Sequence, residues 1–119
     1  TTVCFYQDAR HTESLRWIRR IFHIGYISTR NDHMAEYRIN GFQETQRVLT
    51  LLKPFIRFKK KQVAIMLKIL PLLCRKKLMN MSHKERLRVA EVIISLREQN
   101  YQSHQRRYTD ETIKALLDF

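Results

Sequence analysis

Only two glycines, Gly25 and Gly41, occur in 119 residues, and they separate stretches of different hydrophobic period. Before Gly25, residues 2–7 (Thr-Val-Cys-Phe-Tyr-Gln) read as a strand. His11-Thr-Glu-Ser then precedes Leu15, Ile18, Ile21 and Phe22, the spacing of one helix face. Thr12 is the expected N-cap, Arg16, Arg19 and Arg20 are expected to point outward, and Gly25 to stop the helix. Between the glycines, residues 26–29 and 35–39 are β-prone and are separated by the turn-forming run Arg30-Asn-Asp-His33, which predicts a hairpin. Asn40-Gly41 opens a second helix carrying Phe42, Val48, Leu49 and Leu52, and Pro54 disfavours helical geometry at Lys53.

The rest of the chain reads as helix: residues 60 to about 73, 82 to about 100, and 109 to 118. Ser82-His-Lys-Glu85 has the form of a capping box, in which serine and glutamate satisfy each other's free backbone donors. Leu87, Ala90, Ile94 and Leu96 are expected to face inward, and Phe5, Trp17, Phe22, Phe55 and Phe58 to lie in the core. Arg75-Lys-Lys77 and residues 103–108 are polar links. The order β, α, β, β, α, α, α, α predicts an α+β fold: a small antiparallel sheet packed on helices, one face covered and the other left for a partner. A chain of this length suits one domain, with sheet and helices in residues 1–58 and a helical part in 59–119.

Lys and Arg number 23 against 11 Asp and Glu, a formal charge of +12, so an anionic partner is expected. Nucleic acid leads, DNA or structured RNA such as rRNA. A membrane is excluded as partner: residues 63–73 form the longest apolar stretch, broken by Lys68 and Pro71 and well short of the ~20 residues of a span. Cys4 and Cys74 lack paired spacing, which speaks for an intracellular, reducing compartment. The five histidines show no zinc-ligand spacing, two glycines make no phosphate loop, and no metal ligand set is expected. The strand-like start at Thr2, with no methionine before it, is expected to follow a further segment.

Three runs resemble a known family: Ile24-Gly-Tyr-Ile-Ser-Thr-Arg30 followed by Glu36-Tyr37; Leu51-Leu-Lys-Pro-Phe-Ile-Arg-Phe-Lys-Lys-Lys-Gln62 with Leu67-Lys-Ile-Leu70; and Tyr108-Thr-Asp-Glu-Thr-Ile-Lys-Ala-Leu-Leu-Asp118. They look like the region after the motif helix in single-motif LAGLIDADG homing endonucleases of the rRNA-intron type, the Pro-Phe-Ile-Arg-Phe-Lys-Lys-Lys-Gln run being the most specific. The resemblance implies a partial αββαββα fold, lacking the LAGLIDADG helix and first strand, whose sheet lies in the DNA major groove. It implies Mg2+ only if a partner chain supplies that helix, whose acidic end holds the divalent ions. It also implies an organelle, chloroplast or mitochondrion, or a bacterial cytoplasm.

The resemblance places two candidate catalytic residues, Gln7 at the strand end and Lys59 in the basic run, as groups that order water and steady charge near the scissile phosphate. The family's third position, a cation four residues after the glutamine, is His11 here, a weaker cation near neutral pH. On the hairpin, Arg30, Glu36 and Arg38 either read bases, since Arg suits guanine and Glu suits cytosine, or form a charged solvent face with a weak Glu36–Arg38 pair. Arg57, Lys60, Lys61, Ser103, His104, Arg106 and Arg107 suit phosphate contacts, which position a duplex without reading it.

Three functional readings stay open. The chain is half of a split endonuclease that cuts only with a partner supplying the motif helix and first strand. Alternatively, it is an inactive derivative serving as an rRNA-bound ribosomal component or intron-splicing helper. In the third, it is part of a longer polypeptide that acts as an ordinary homodimeric endonuclease.

Overall fold

In a computed structural model, which describes residues 1–99 and 109–117, the first forty residues make a three-stranded antiparallel sheet in the order β1-β3-β2, where β1 is Thr2–Asp8, β2 Tyr26–Thr29 and β3 Met34–Asn40. Both pairs of neighbours are in register with β3, Phe5 and Ile27 each lying opposite Tyr37. Side chains alternate across a pleated strand, so this register sorts the sheet into two faces. Val3, Phe5, Ile27, Ala35, Tyr37 and Ile39 share one, and Ala35, Tyr37 and Ile39 are fully buried there.

That face is covered by α1, Glu13–Phe22, which contacts all three strands and buries Leu15 and Phe22. Arg16, Arg19 and Arg20 are exposed, as their helical positions require. Thr12 forms no side-chain cap: it already has helical φ and ψ because a 3-10 turn, Ala9–His11, runs into the helix, and Asp8 caps that turn instead. The helix also ends before the expected stop, at left-handed His23, and Gly25 follows at φ +81° in the link to β2. The hairpin turn closes through Arg30 N–H donating to the Met34 carbonyl at 2.7 Å.

Gly41 then starts α2, Phe42–Leu52, which buries Thr45, Val48 and Leu49. The chain divides into two units, Thr1–Leu51 and Leu52–Phe119. In the second, α3 (Lys60–Arg75), α4 (His83–Glu98) and α5 (Asp110–Leu117) follow one another, α4 packing on both others. Its core is built on Ile69, Leu72, Met81 and Val89, with Met66, Val92, Ile93 and Leu117 against them. The capping box forms as expected: Glu85 N–H donates to Ser82 Oγ at 3.2 Å and Ser82 N–H to Glu85 Oε2 at 2.9 Å. Lys76 bridges to Glu85 at 3.0 Å, and Arg97 to Asp110 at 3.5 Å.

Several core expectations are corrected. On α4 the buried residues are Val89 and Ala90, while Leu87, Ile94 and Leu96 are half-buried, because two helices press on α4 and shift its apolar stripe. Phe22 is core, but Trp17 is 58% exposed, and Phe55 and Phe58 are 80% and 86% exposed. Trp17 lies on the side of α1 opposite Leu15 and Phe22, and the two phenylalanines sit in the non-helical link between α2 and α3.

Candidate nucleic-acid interface

The second face of the sheet is polar and uncovered by α1, and beyond the Thr2–Asn40 pair at its end its residues stand in three cross-strand rows. Cys4, Arg38 and Tyr26 form one, and Tyr6, Glu36 and Ser28 the middle one. Asp8 and Met34 form the third, beside which Arg30 leaves β2. The hairpin register therefore brings Arg30, Glu36 and Arg38 onto one face.

Their surroundings differ. Arg30 is held between two partners: its guanidinium carbon lies 5.7 Å from the Tyr6 ring centre, and Nη2 is 3.3 Å from Asp32 Oδ2. Arg38 Nε faces Glu36 Oε1 at 3.5 Å; the Arg38 side chain is 38% exposed and that of Glu36 only 11%. Glu36 is thus the base of this pair and Arg38 its outer member. Cys4 lies beside both Tyr6 and Arg38, and its interaction is the first cause holding the Tyr6 hydroxyl above its ordinary range. Tyr6 and Tyr26, 53% and 48% exposed, are the members of this face that the residue pattern missed. Their signal was present: each falls two residues from another polar-face position on its own strand.

Gln7 lies opposite Ala35, so the register assigns it to the covered side, and its Oε1 accepts from the Asp8 N–H at 3.0 Å. His11 is exposed at the end of the 3-10 turn. In the second unit Lys59 adopts a left-handed conformation, φ 58°, immediately before α3, and is exposed with Arg57, Lys60 and Lys61. Arg57, Lys59, Lys60 and Lys61 would repel one another if packed, so this run stays in solvent. Ser103, His104, Arg106 and Arg107 lie outside the described residues.

The described residues do not build a divalent-cation site. No three His, Cys, Asp or Glu side chains among them converge. Asp8, at the strand end, is already engaged by Arg10 through Nε at 3.1 Å and Nη2 at 2.8 Å, which holds its carboxyl far below the usual carboxylate range.

Homing endonucleases are among the solved structures with this architecture. The homing endonuclease I-CvuI, in complex with the I-CreI target and magnesium, matches at TM-score 0.74 and 21% identity over 98% of this chain and 71% of that one. The archaeal intron-encoded homing endonuclease I-Vdi141I, complexed with DNA, matches at TM-score 0.80 and 18% identity over 98% and 74%. I-TnaI matches at TM-score 0.61 and 19% identity over 98% and 73%. No protein-family model and no curated protein matches the sequence. The sheet with one helix-covered and one polar face, followed by helices, gives this chain the fold of the LAGLIDADG homing endonucleases.

Proposed function

We propose that the chain is the groove-reading part of a homing-endonuclease-type DNA nuclease, and that it cuts only with a second segment or chain supplying the metal-binding acidic helix and a first strand. The observation that carries this is the polar sheet face, on which Arg30 stands exposed and Arg38 half-buried while the opposite face is covered. Arginines suit guanine in the major groove, and a small twisted sheet of this kind suits its width. Magnesium, when the acidic helix is present, would neutralise charge developing at the scissile phosphate. Gln7 and Lys59 would assist by ordering water and by opposing negative charge, and Arg57, Lys60 and Lys61 would hold phosphates. Cys4 and Cys74, which form no disulfide with each other, fit work in a reducing compartment.

Reconstitution tests this reading. The chain mixed with a segment bearing a LAGLIDADG helix is expected to cut both strands of its duplex in magnesium, with Lys59→Ala and Gln7→Ala each slowing cleavage. A pair that binds its site but never cuts, unaffected by either substitution, overturns it.

A second reading has its own support. The outward face of α1 carries Arg16, Arg19 and Arg20 away from the sheet's polar face, charge that a groove-reading role does not use. It favours a non-cutting protein bound to rRNA or intron RNA. Such a protein would co-sediment with that RNA through high-salt washing, whereas recovery free of RNA with tight binding to one DNA duplex excludes it.

A further inference from the structure

We infer that Tyr6 and Glu36 are positioning residues, the middle row of the sheet holding Arg30 and Arg38 in place as two separate guanine-reading side chains. This rests on the duplex-binding reading above and specifies how the face would read. Tyr6 and Glu36 are direct cross-strand partners. The two arginines flank them, one to each side along β3, since Arg30 bonds back to Met34 and Arg38 stands opposite Cys4 and Tyr26.

An arginine free in water samples many rotamers, and ordering it on a base costs binding energy that a preformed contact removes. Here each arginine is already constrained, by a different device. The Tyr6 ring lies 5.7 Å from the Arg30 guanidinium, a cation–π distance. With Asp32 3.3 Å away on another side, Arg30 is gripped twice yet 47% exposed. Glu36 is too enclosed to reach a base itself, with 11% of its side chain exposed, but its carboxylate faces Arg38 Nε at 3.5 Å. Arg38 Nε is buried without a hydrogen bond, so any contact of this side chain with a ligand is made by its terminal Nη groups, beside Cys4. A guanine edge offers O6 and N7, the pair of acceptors that a held guanidinium fits.

The spacing makes the inference quantitative. Met34 and Arg38 are four positions apart on β3. At about 3.4 Å per residue that is roughly 13–14 Å along the strand. Duplex DNA rises about 3.4 Å per base along each strand, so the two contacts fall about four base steps apart. One support is a ring and the other a carboxylate, so each is expected to fail alone.

The test selects bound sequences from a library of randomised DNA duplexes with the 119-residue chain and its variants, thermal melting of each variant being measured in parallel. The wild type is expected to enrich guanine at two positions about four steps apart. Tyr6→Leu relaxes one of them by roughly three- to tenfold, a part of what a full guanine contact contributes, and Tyr6→Phe, which keeps the ring, restores it. Glu36→Gln relaxes the other and leaves the first. If the wild type enriches a motif but Tyr6→Leu and Glu36→Gln enrich the same one, or if Tyr6→Phe behaves like Tyr6→Leu, the positioning roles are overturned while the duplex-binding reading stands. Loss of both positions together in either variant overturns the independence of the supports. A wild type that enriches nothing overturns the duplex-binding reading and this inference with it.

Discussion

The Tyr37 hydroxyl donates a hydrogen bond to the Ile24 carbonyl, tying the centre of β3 to the link between α1 and β2. Tyr37 is fully buried and stacks on Phe5 with ring centres 5.8 Å apart, and burial pushes its phenol above the ordinary tyrosine range. Tyr37→Phe keeps the stack but leaves the Ile24 carbonyl without this donor. It is expected to lower stability by about 1–3 kcal/mol, read from urea unfolding midpoints. An unchanged midpoint would show that water replaces the bond at no cost.

Gly25 lies next to that carbonyl at φ +81°, where a Cβ would meet the Arg38 carbonyl oxygen at 2.4 Å and a Tyr37 ring carbon at 2.9 Å. Both neighbours are held, one by the sheet and one by the core. Gly25→Ala is therefore expected to cost more than about 1 kcal/mol in the same measurement, the sign opposite to that of a glycine replacement in a helical conformation.

In the second unit, Ser82→Ala removes the hydroxyl that caps α4 and should cost about 1 kcal/mol. The Glu85 carboxyl is held below the usual carboxylate range, first by the Ser82 N–H and then by Lys76. A lowered folded value means that the contribution is complete above the unfolded value, near pH 4.5, and is lost as pH falls through the lower folded value. The stability gap between wild type and Glu85→Gln is thus expected to be widest above about pH 4.5 and to close on acidification. A gap independent of pH would contradict this.

Phe55 and Phe58 are 80% and 86% exposed and Phe22 only 4%. Truncating a buried phenylalanine to alanine costs about 3–5 kcal/mol. That loss is expected for Phe22→Ala, against changes within about 0.5 kcal/mol for Phe55→Ala and Phe58→Ala. Large losses at residues 55 and 58 would show that a surface covers them in solution.

Arg57, Lys60 and Lys61, all exposed, are expected to act on a duplex through phosphates. Replacing each by alanine should reduce the slope of log affinity against log salt by about 0.9, while leaving the order of preferred sequences unchanged. A change in preferred sequence would assign these residues to base reading.

The elements and the Ser82 cap of α4 were legible in the residues because they depend on near neighbours. The period of Leu15, Ile18 and Phe22, the Ser82–Glu85 box and the stop before Pro54 each act within a turn or two of chain. The polar character of Arg30, Glu36 and Arg38 was legible in the residues, and their common face follows from the strand pairing. Which partner each residue meets depends instead on how β1 slides against β3, two strands separated by a helix and another strand, and nothing local sets that register. Only the folded sheet placed Tyr6 under Arg30, turned Gln7 to the side of Ala35, and enclosed Glu36 beneath Arg38. Exposure divided in the same way. Apolarity marked Trp17, Phe55 and Phe58 for burial, but burial requires a second surface at the same place, and among the described residues none packs over them.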